Sequence, residues 1–165
     1  MPVYLKYGNI TGNVSAATFS KWIEIDSFSW GFSVSVQTTV GNTGNRLSAG
    51  KVTPSDLSLV KHQDDASVAI MKESIEGKLQ TEATLVVVMQ ASADGGEKYM
   101  EYTMQNVICS SFQTSGSGGD FGESRPSESF TLNFSKIEFS QHTRDEKNVA
   151  TPLRGGYDFT KAQKM

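Results

Sequence analysis

One cysteine, Cys109, stands among 165 residues, which excludes an internal disulfide and any cysteine-rich zinc site. Histidine is almost as scarce: His62 and His142 have no further His or Cys at metal-ligand spacing. Both read as surface or hydrogen-bonded side chains. No apolar run approaches the roughly 20 residues of a membrane helix. Positive charge is also lacking, with 15 Lys and Arg against 18 Asp and Glu, a net charge of −3. That balance argues against electrostatic binding of nucleic acid or anionic lipid. The N-terminus carries no basic head, apolar stretch and small-residue cleavage site, so no signal peptide is expected. The protein then stays in the cytoplasm or leaves by a route that reads no such signal.

Gly, Ser and Thr fill the space left by apolar residues at 37% and charged residues at 20%. The mix suits short strands joined by turns. The length fits one domain over residues 1–165, large enough to bury about 70% of its extended-chain surface.

Alternation with a period of two dominates. Over residues 27–36, Phe28, Trp30, Phe32, Val34 and Val36 share one face, and Ser27, Ser29, Gly31, Ser33 and Ser35 share the other. The first set is expected in the core. The second is small and uncharged where a solvated face ordinarily carries Lys, Glu, Thr and Arg. It suits a smooth or closely packed surface, or is simply an exposed serine-rich one. Residues 52–62 alternate through Leu57 and Leu59. Residues 83–91 contain Leu85-Val86-Val87-Val88-Met89, apolar on both faces and so expected to be covered on both sides. Asp94-Gly95-Gly96 signals a turn and residues 99–110 return, which predicts a hairpin over 83–110. Phe130, Leu132 and Phe134 hold one phase, and Ile137 and Phe139 hold the other. A β-bulge at residues 135–136 would repair the phase and bend the strand toward barrel closure.

One segment predicts a helix. Asp64 or Asp65 serves as N-cap, Val68, Met71 and Ile75 form its apolar stripe, and Gly77 stops it. Beside so many strands, such a helix plugs a barrel end or covers a sheet edge. Residues 8–20, 38–51 and 115–127 read as loops. The second is longer than most loops inside compact domains. It is read as an arm that orders against a neighbouring subunit, with Arg46, Leu47 and Lys51 as contacts; plain disorder is the alternative.

Catalytic motifs fail one by one. In Gly116-Ser117-Gly118-Gly119-Asp120-Phe121-Gly122, Phe121 stands where a dinucleotide fingerprint needs glycine, and a strand follows instead of a helix. Gly50-Lys51 has Asn45 and Val52 where a P-loop needs Gly and Ser or Thr. No Gly-x-Ser-x-Gly elbow occurs. Asp64, Asp65, Glu73 and Glu76 read as helix cap and solvated face, not as a paired acid and base. Cys109 reads as a small semi-buried side chain with nothing nearby to lower its pKa. The Asn-x-Ser/Thr sites at Asn9, Asn13 and Asn133 are chance outside a secreting eukaryote. No catalytic, cofactor or metal site emerges.

An ordered set of segments does point to a family. These are Trp22-Ile23-Glu24-Ile25, Phe28-Ser29-Trp30-Gly31, Ala49-Gly50-Lys51-Val52 and Asp56-Leu57-Ser58-Leu59-Val60-Lys61. Val107-Ile108-Cys109-Ser110-Ser111-Phe112, Ser115-Gly116-Ser117-Gly118-Gly119, Glu128-Ser129-Phe130-Thr131-Leu132-Asn133-Phe134 and Gly155-Gly156-Tyr157-Asp158-Phe159 follow. Together they resemble the haemolysin-coregulated protein (Hcp) family of type VI secretion systems over nearly the whole chain.

The resemblance implies a closed β-barrel built of two sheets with one flanking helix. It implies a non-enzymatic subunit whose hexameric rings stack into the inner tube of a contractile injection device. The implied partners are further copies of the chain, a sheath, a valine-glycine-repeat spike protein and secreted effectors, without nucleic acid or membrane insertion. The implied location is cytoplasmic before firing, then outside the cell without a signal peptide. On this resemblance Ser27, Ser29, Gly31, Ser33 and Ser35 become candidates for the lumen wall, and Arg46, Leu47 and Lys51 for contact between subunits. Residues 120–126 and His62-Gln63 depart from the family pattern. Three rivals stay open. A phage-like tail tube shares the mechanics. A monomeric small barrel would line a wide interior with Phe28, Trp30 and Phe32 to hold an apolar ligand. A serine hydrolase would need an elbow and base that are not visible.

Overall fold

The computed structural model of the chain describes residues 1–38, 47–89, 96–118, 125–144 and 150–165. Among them, alternation builds β1 (Val3–Tyr7), β2 (Ile23–Ile25), β3 (Ser27–Ser29), β4 (Phe32–Thr38), β5 (Leu47–Pro54) and β6 (Leu57–His62). After the helix α1 (Ser67–Glu76) come β7 (Gln80–Val88), β8 (Lys98–Ser115), β9 (Ser127–Arg144), β10 (Ala150–Asp158) and β11 (Gln163–Lys164). The fold is mainly β with one helix, and β7 and β8 form the expected hairpin; of its turn, residues 94 and 95 lie outside the described residues.

Pairing runs β11-β10-β9-β8-β7-β1-β2, with β6 joining β9 to β3. Asp26 alone separates β2 from β3, and its N–H donates to the Val60 carbonyl at 2.8 Å. The sheet order returns toward its start, but the ladder breaks at this joint, so the described residues form an open sheet and not the closed barrel of two sheets that the resemblance implies.

The core lies inside this curved sheet. Leu5, Tyr7, Ile23, Leu57, Leu59, Leu85, Val87, Met104, Val107, Phe130 and Leu132 form one buried cluster with Ile70 of α1. The opposite face of β7 is covered too. Val86 and Val88 pack with Tyr4 and Phe19 in a second cluster, flanked by Val14 and Trp22. The segment expected as a plain loop at 8–20 supplies this cover. Its 3-10 turn at Ala17–Phe19 buries Phe19, whose ring lies 5.1 Å from Tyr4 and 5.2 Å from Trp22. Gly12 permits the tight return, since a Cβ there would sit 2.4 Å from the Trp22 carbonyl oxygen.

The predicted phase change is present, but not as a bulge at residues 135–136. Buried residues step by three on three strands at once. Ala83, Met104 and Ile137 form one registered row, and Gln80, Val107 and Phe134 form the next. Between them Asn106 takes a left-handed φ of 53° and donates through Nδ2 to Ser135 Oγ at 2.8 Å. Because the strands turn together, their pairing needs no extra residue here. The register shift between β8 and β9 lies instead at Cys109 and Ser111.

The expected continuous strand over 27–36 is broken. It stops at Trp30 and Gly31, and β4 leaves with β5 as a separate two-stranded sheet. Phe32, Val34 and Val36, expected in the core, are exposed, because β4 and β5 pair only with each other among the described residues. Phe28 and Trp30 remain half-buried. Their rings lie 6.0 and 6.2 Å from Tyr102, and Trp30 lies 6.2 Å from Phe134.

Candidate assembly surfaces

Four strands present one continuous polar face. Leu57, Leu59 and Lys61 of β6 point inward, as do Glu128, Phe130 and Leu132 of β9, so the alternate residues point out. Register then aligns Ser29, Ser58, Thr131 and Ser111 in one row across β3, β6, β9 and β8. Ser27, Val60, Ser129 and Gln113 form the next row, and His62, Ser127 and Ser115 a third. Beside them Ser110 Oγ donates to Asp56 Oδ2 at 2.6 Å, and Asn133 Nδ2 donates to Asp56 Oδ1 at 2.7 Å. A shallow depression of about 510 Å³, lined by Val60, Gln113, Thr114, Ser115, Ser127 and Ser129, opens on this face.

Of the five small residues expected on one strand face, the structure places Ser27 and Ser29 on this polar sheet face. Gly31 sits at the joint, where its N–H donates to Ser55 Oγ at 3.1 Å and its carbonyl accepts the Ser55 N–H at 2.9 Å. Ser33 and Ser35 belong to the arm formed by β4 and β5. Sequence reading missed Ser58, Ser111, Gln113, Ser129 and Thr131. The signal was available, since each sits in the outward phase of a strand whose inward phase is mostly apolar.

The arm begins at that Gly31 and Ser55 clamp. Lys51 is exposed on it, and Leu47 pairs in register with Thr38; Arg46 lies outside the described residues. An irregularity between Val34 and Val36 adds one residue to β5, at Gly50, whose missing side chain admits Ser35.

Helix α1 is turned the other way from expectation. Ala66, Ser67, Ile70 and Glu73 are buried, while Val68, Met71 and Ile75 face out. The inward face is held by polar locks that the sequence reading missed. Lys61, fully buried, donates to Ser67 Oγ at 2.9 Å and pairs with Asp64 Oδ1 at 2.6 Å and Glu128 Oε2 at 2.9 Å. Ser67 Oγ in turn donates to Glu128 Oε2 at 2.7 Å. At the far end, Gln80 Nε2 donates to both Glu73 oxygens at 2.7 Å, and Lys78 Nζ to one at 2.8 Å. Glu73 is therefore an anchor and not part of a solvated face. Asp64 accepts the Ala66 N–H at 3.0 Å, two residues ahead of a helix whose own N-cap is Ala66. Gly77 ends the helix with a left-handed φ of 63°, as expected.

Cys109 is buried, and burial pushes its thiol up, away from a reactive thiolate. His62 Nδ1 lies 2.6 Å from Asp26 Oδ2 at the edge of the polar sheet face, and His142 Nε2 lies 3.8 Å from Glu101. Among the described residues no three of His, Cys, Asp and Glu gather at metal-binding range.

Comparison with known proteins agrees with this geometry. The family model described as "Type VI secretion system effector, Hcp" matches residues 4–141. Protein hcp1 of Pseudomonas aeruginosa is 31% identical over 161 residues, 94% of this chain and 93% of that protein. A solved type six secretion system protein superposes with a TM-score of 0.85 at 25% identity, covering 99% of each chain. Hcp1 from Salmonella typhimurium does so at 0.76 and 25% identity, over 99% of this chain and 98% of that one. With a family match over most of its length and a relative above 30% identity, the chain belongs to the Hcp family of type VI secretion systems.

Proposed function

We propose that the chain, as a single domain, is a non-enzymatic tube subunit. Six copies close into a ring, rings stack, and the face of β3, β6, β9 and β8 lines the channel. The observation that supports this reading is the three registered rows on that face, in which Ser, Thr and Gln take every position but those of Val60 and His62. Small hydroxyl groups give a wall that wets readily and snags little, and a channel through which protein cargo passes needs both. Barrel closure occurs at Asp26, with β2 and β3 acting as one bent strand. The arm, with Arg46, Leu47 and Lys51, reaches a neighbouring copy, which covers apolar surface that the protomer leaves open. Closing a ring also covers strand edges that would otherwise recruit chains without limit.

On this reading the partners are other copies, a sheath around the tube, a valine-glycine-repeat spike at its tip and effectors within the ring. The protein resides in the cytoplasm until firing and leaves through its own apparatus. Contacts between rings are weaker than contacts within them, because a spent tube must come apart. Rings persist at micromolar concentration while stacks form only on crowding; dilution in which stacks outlast rings contradicts this.

The direct test is Ser29→Trp. The variant forms rings of native mass and loses effector retention or export. Loss of the ring itself places Ser29 in a subunit contact and removes the wall assignment.

A further inference from the structure

We infer that the outer face of α1 in one copy is the seat for the β4 arm of the next copy in the same ring. This rests on the ring reading above and names the two surfaces that meet. Two apolar rows lie uncovered in the protomer. On β4, Phe32, Val34 and Val36 are 61%, 37% and 59% exposed. On α1, Val68, Met71 and Ile75 are 68%, 41% and 79% exposed. Isolated exposed apolar residues are ordinary, but a row repeated along one face of an element marks a contact surface. Neither row covers the other within the chain, since both stay exposed.

Size and symmetry favour a second copy as the occupant. The two rows together expose about 600 Å² of apolar side chain, the apolar share of an interface of roughly 1,000 Å². That reaches the lower bound of a specific contact. From Val68 to Ile75 the helix rises about 10 Å, and from Phe32 to Val36 the strand runs about 13 Å, so the rows match in length. A cyclic ring joins copies head to tail through two different patches, and one apolar row on each of two separate elements supplies that pair. Both rows are also held firmly at their bases. The Lys61, Asp64, Ser67 and Glu128 lock seats α1 on β6 and β9, and the Ser55 and Gly31 clamp fixes the root of the arm.

The test is cross-linking of the assembled full chain. Val36→Cys and Met71→Cys are combined with Cys109→Ala, and the native-mass protein is oxidised. The expected result on denaturing, non-reducing electrophoresis is a ladder ending at six copies, with neither cysteine alone giving more than a dimer. Six copies without a ladder overturns the inference alone. A ladder running past six moves the contact between rings and overturns the same-ring assignment. A wild-type chain that never reaches six removes the ring reading itself. As a second probe, Ile75→Glu raises the concentration at which rings dissociate at least tenfold while the far-ultraviolet circular dichroism stays native. Unchanged ring dissociation in that variant leaves the α1 face to another protein and overturns the inference.

Discussion

Two strands carry apolar rows and meet opposite fates. In β7, Ala83, Leu85, Val86, Val87 and Val88 are all buried, with the main core on one face and Tyr4 and Phe19 on the other. In β4, Phe32, Val34 and Val36 alternate with Ser33 and Ser35 and are exposed. β7 is apolar on both faces and β4 on one, and their topology differs too. β7 lies between β1 and β8, beneath the segment that carries Phe19, whereas among the described residues β4 has only β5 beside it. Alternation dictates a strand, and what covers the strand is decided by elements far away in sequence. In β4 no element among the described residues supplies that cover.

The comparison breaks hardest at the polar lock under α1. Glu128→Ala leaves the buried Lys61 with Asp64 as its remaining carboxylate and costs about 3–5 kcal/mol, read as a lower urea midpoint in dilute protein. Lys61→Met with Glu128→Leu recovers most of that loss, because removing both charges removes the desolvation cost as well. Next comes the covered strand itself. Leu85→Ala costs about 2–5 kcal/mol by loss of transfer energy and creation of a cavity, read in the same unfolding curve.

A smaller effect depends on pH. Asp158 accepts the Thr160 hydroxyl at 2.6 Å, the Thr160 N–H at 3.0 Å and the Lys161 N–H at 3.1 Å, with Lys136 Nζ at 3.4 Å. The Thr160 hydroxyl leads in pulling its carboxyl down from 3.8 to about 2. A depressed carboxylate contributes stability above its unfolded pKa and loses it as pH falls through the folded one. Asp158→Asn therefore melts below wild type at neutral pH, and the gap narrows from about pH 4 and closes near pH 2. A gap that is constant with pH contradicts the assignment. The smallest effect is on the arm. Val36→Ser leaves the unfolding free energy of dilute monomeric chain within about 0.5 kcal/mol of wild type. A loss as large as that of Leu85→Ala would mean that the arm folds back onto its own protomer.

Much of the architecture was legible before any coordinates. The hairpin of β7 and β8, the double burial of Leu85 to Val88, and the helix with its Gly77 stop all follow from pattern and backbone preference. Facing was harder to read. In α1 the residues Ala66, Ile70 and Glu73 recur at helical spacing as regularly as Val68, Met71 and Ile75. The inward choice turns on Gln80 and Lys78 satisfying Glu73, which local periodicity does not contain. Lys61 and Glu128 were more accessible. Each continues the inward phase of its strand, and the two are cross-strand partners, so opposite charges at matched buried positions were a readable ion pair. The phase change near Ser135 was visible too, but one strand read alone suggests a bulge where three strands turn together.

Native mass at micromolar concentration tests the central claim most directly. The account predicts a discrete species of six protomers, with larger stacks appearing only as concentration rises. A stable lone protomer, with Phe32, Val34 and Val36 still open to solvent, would contradict it.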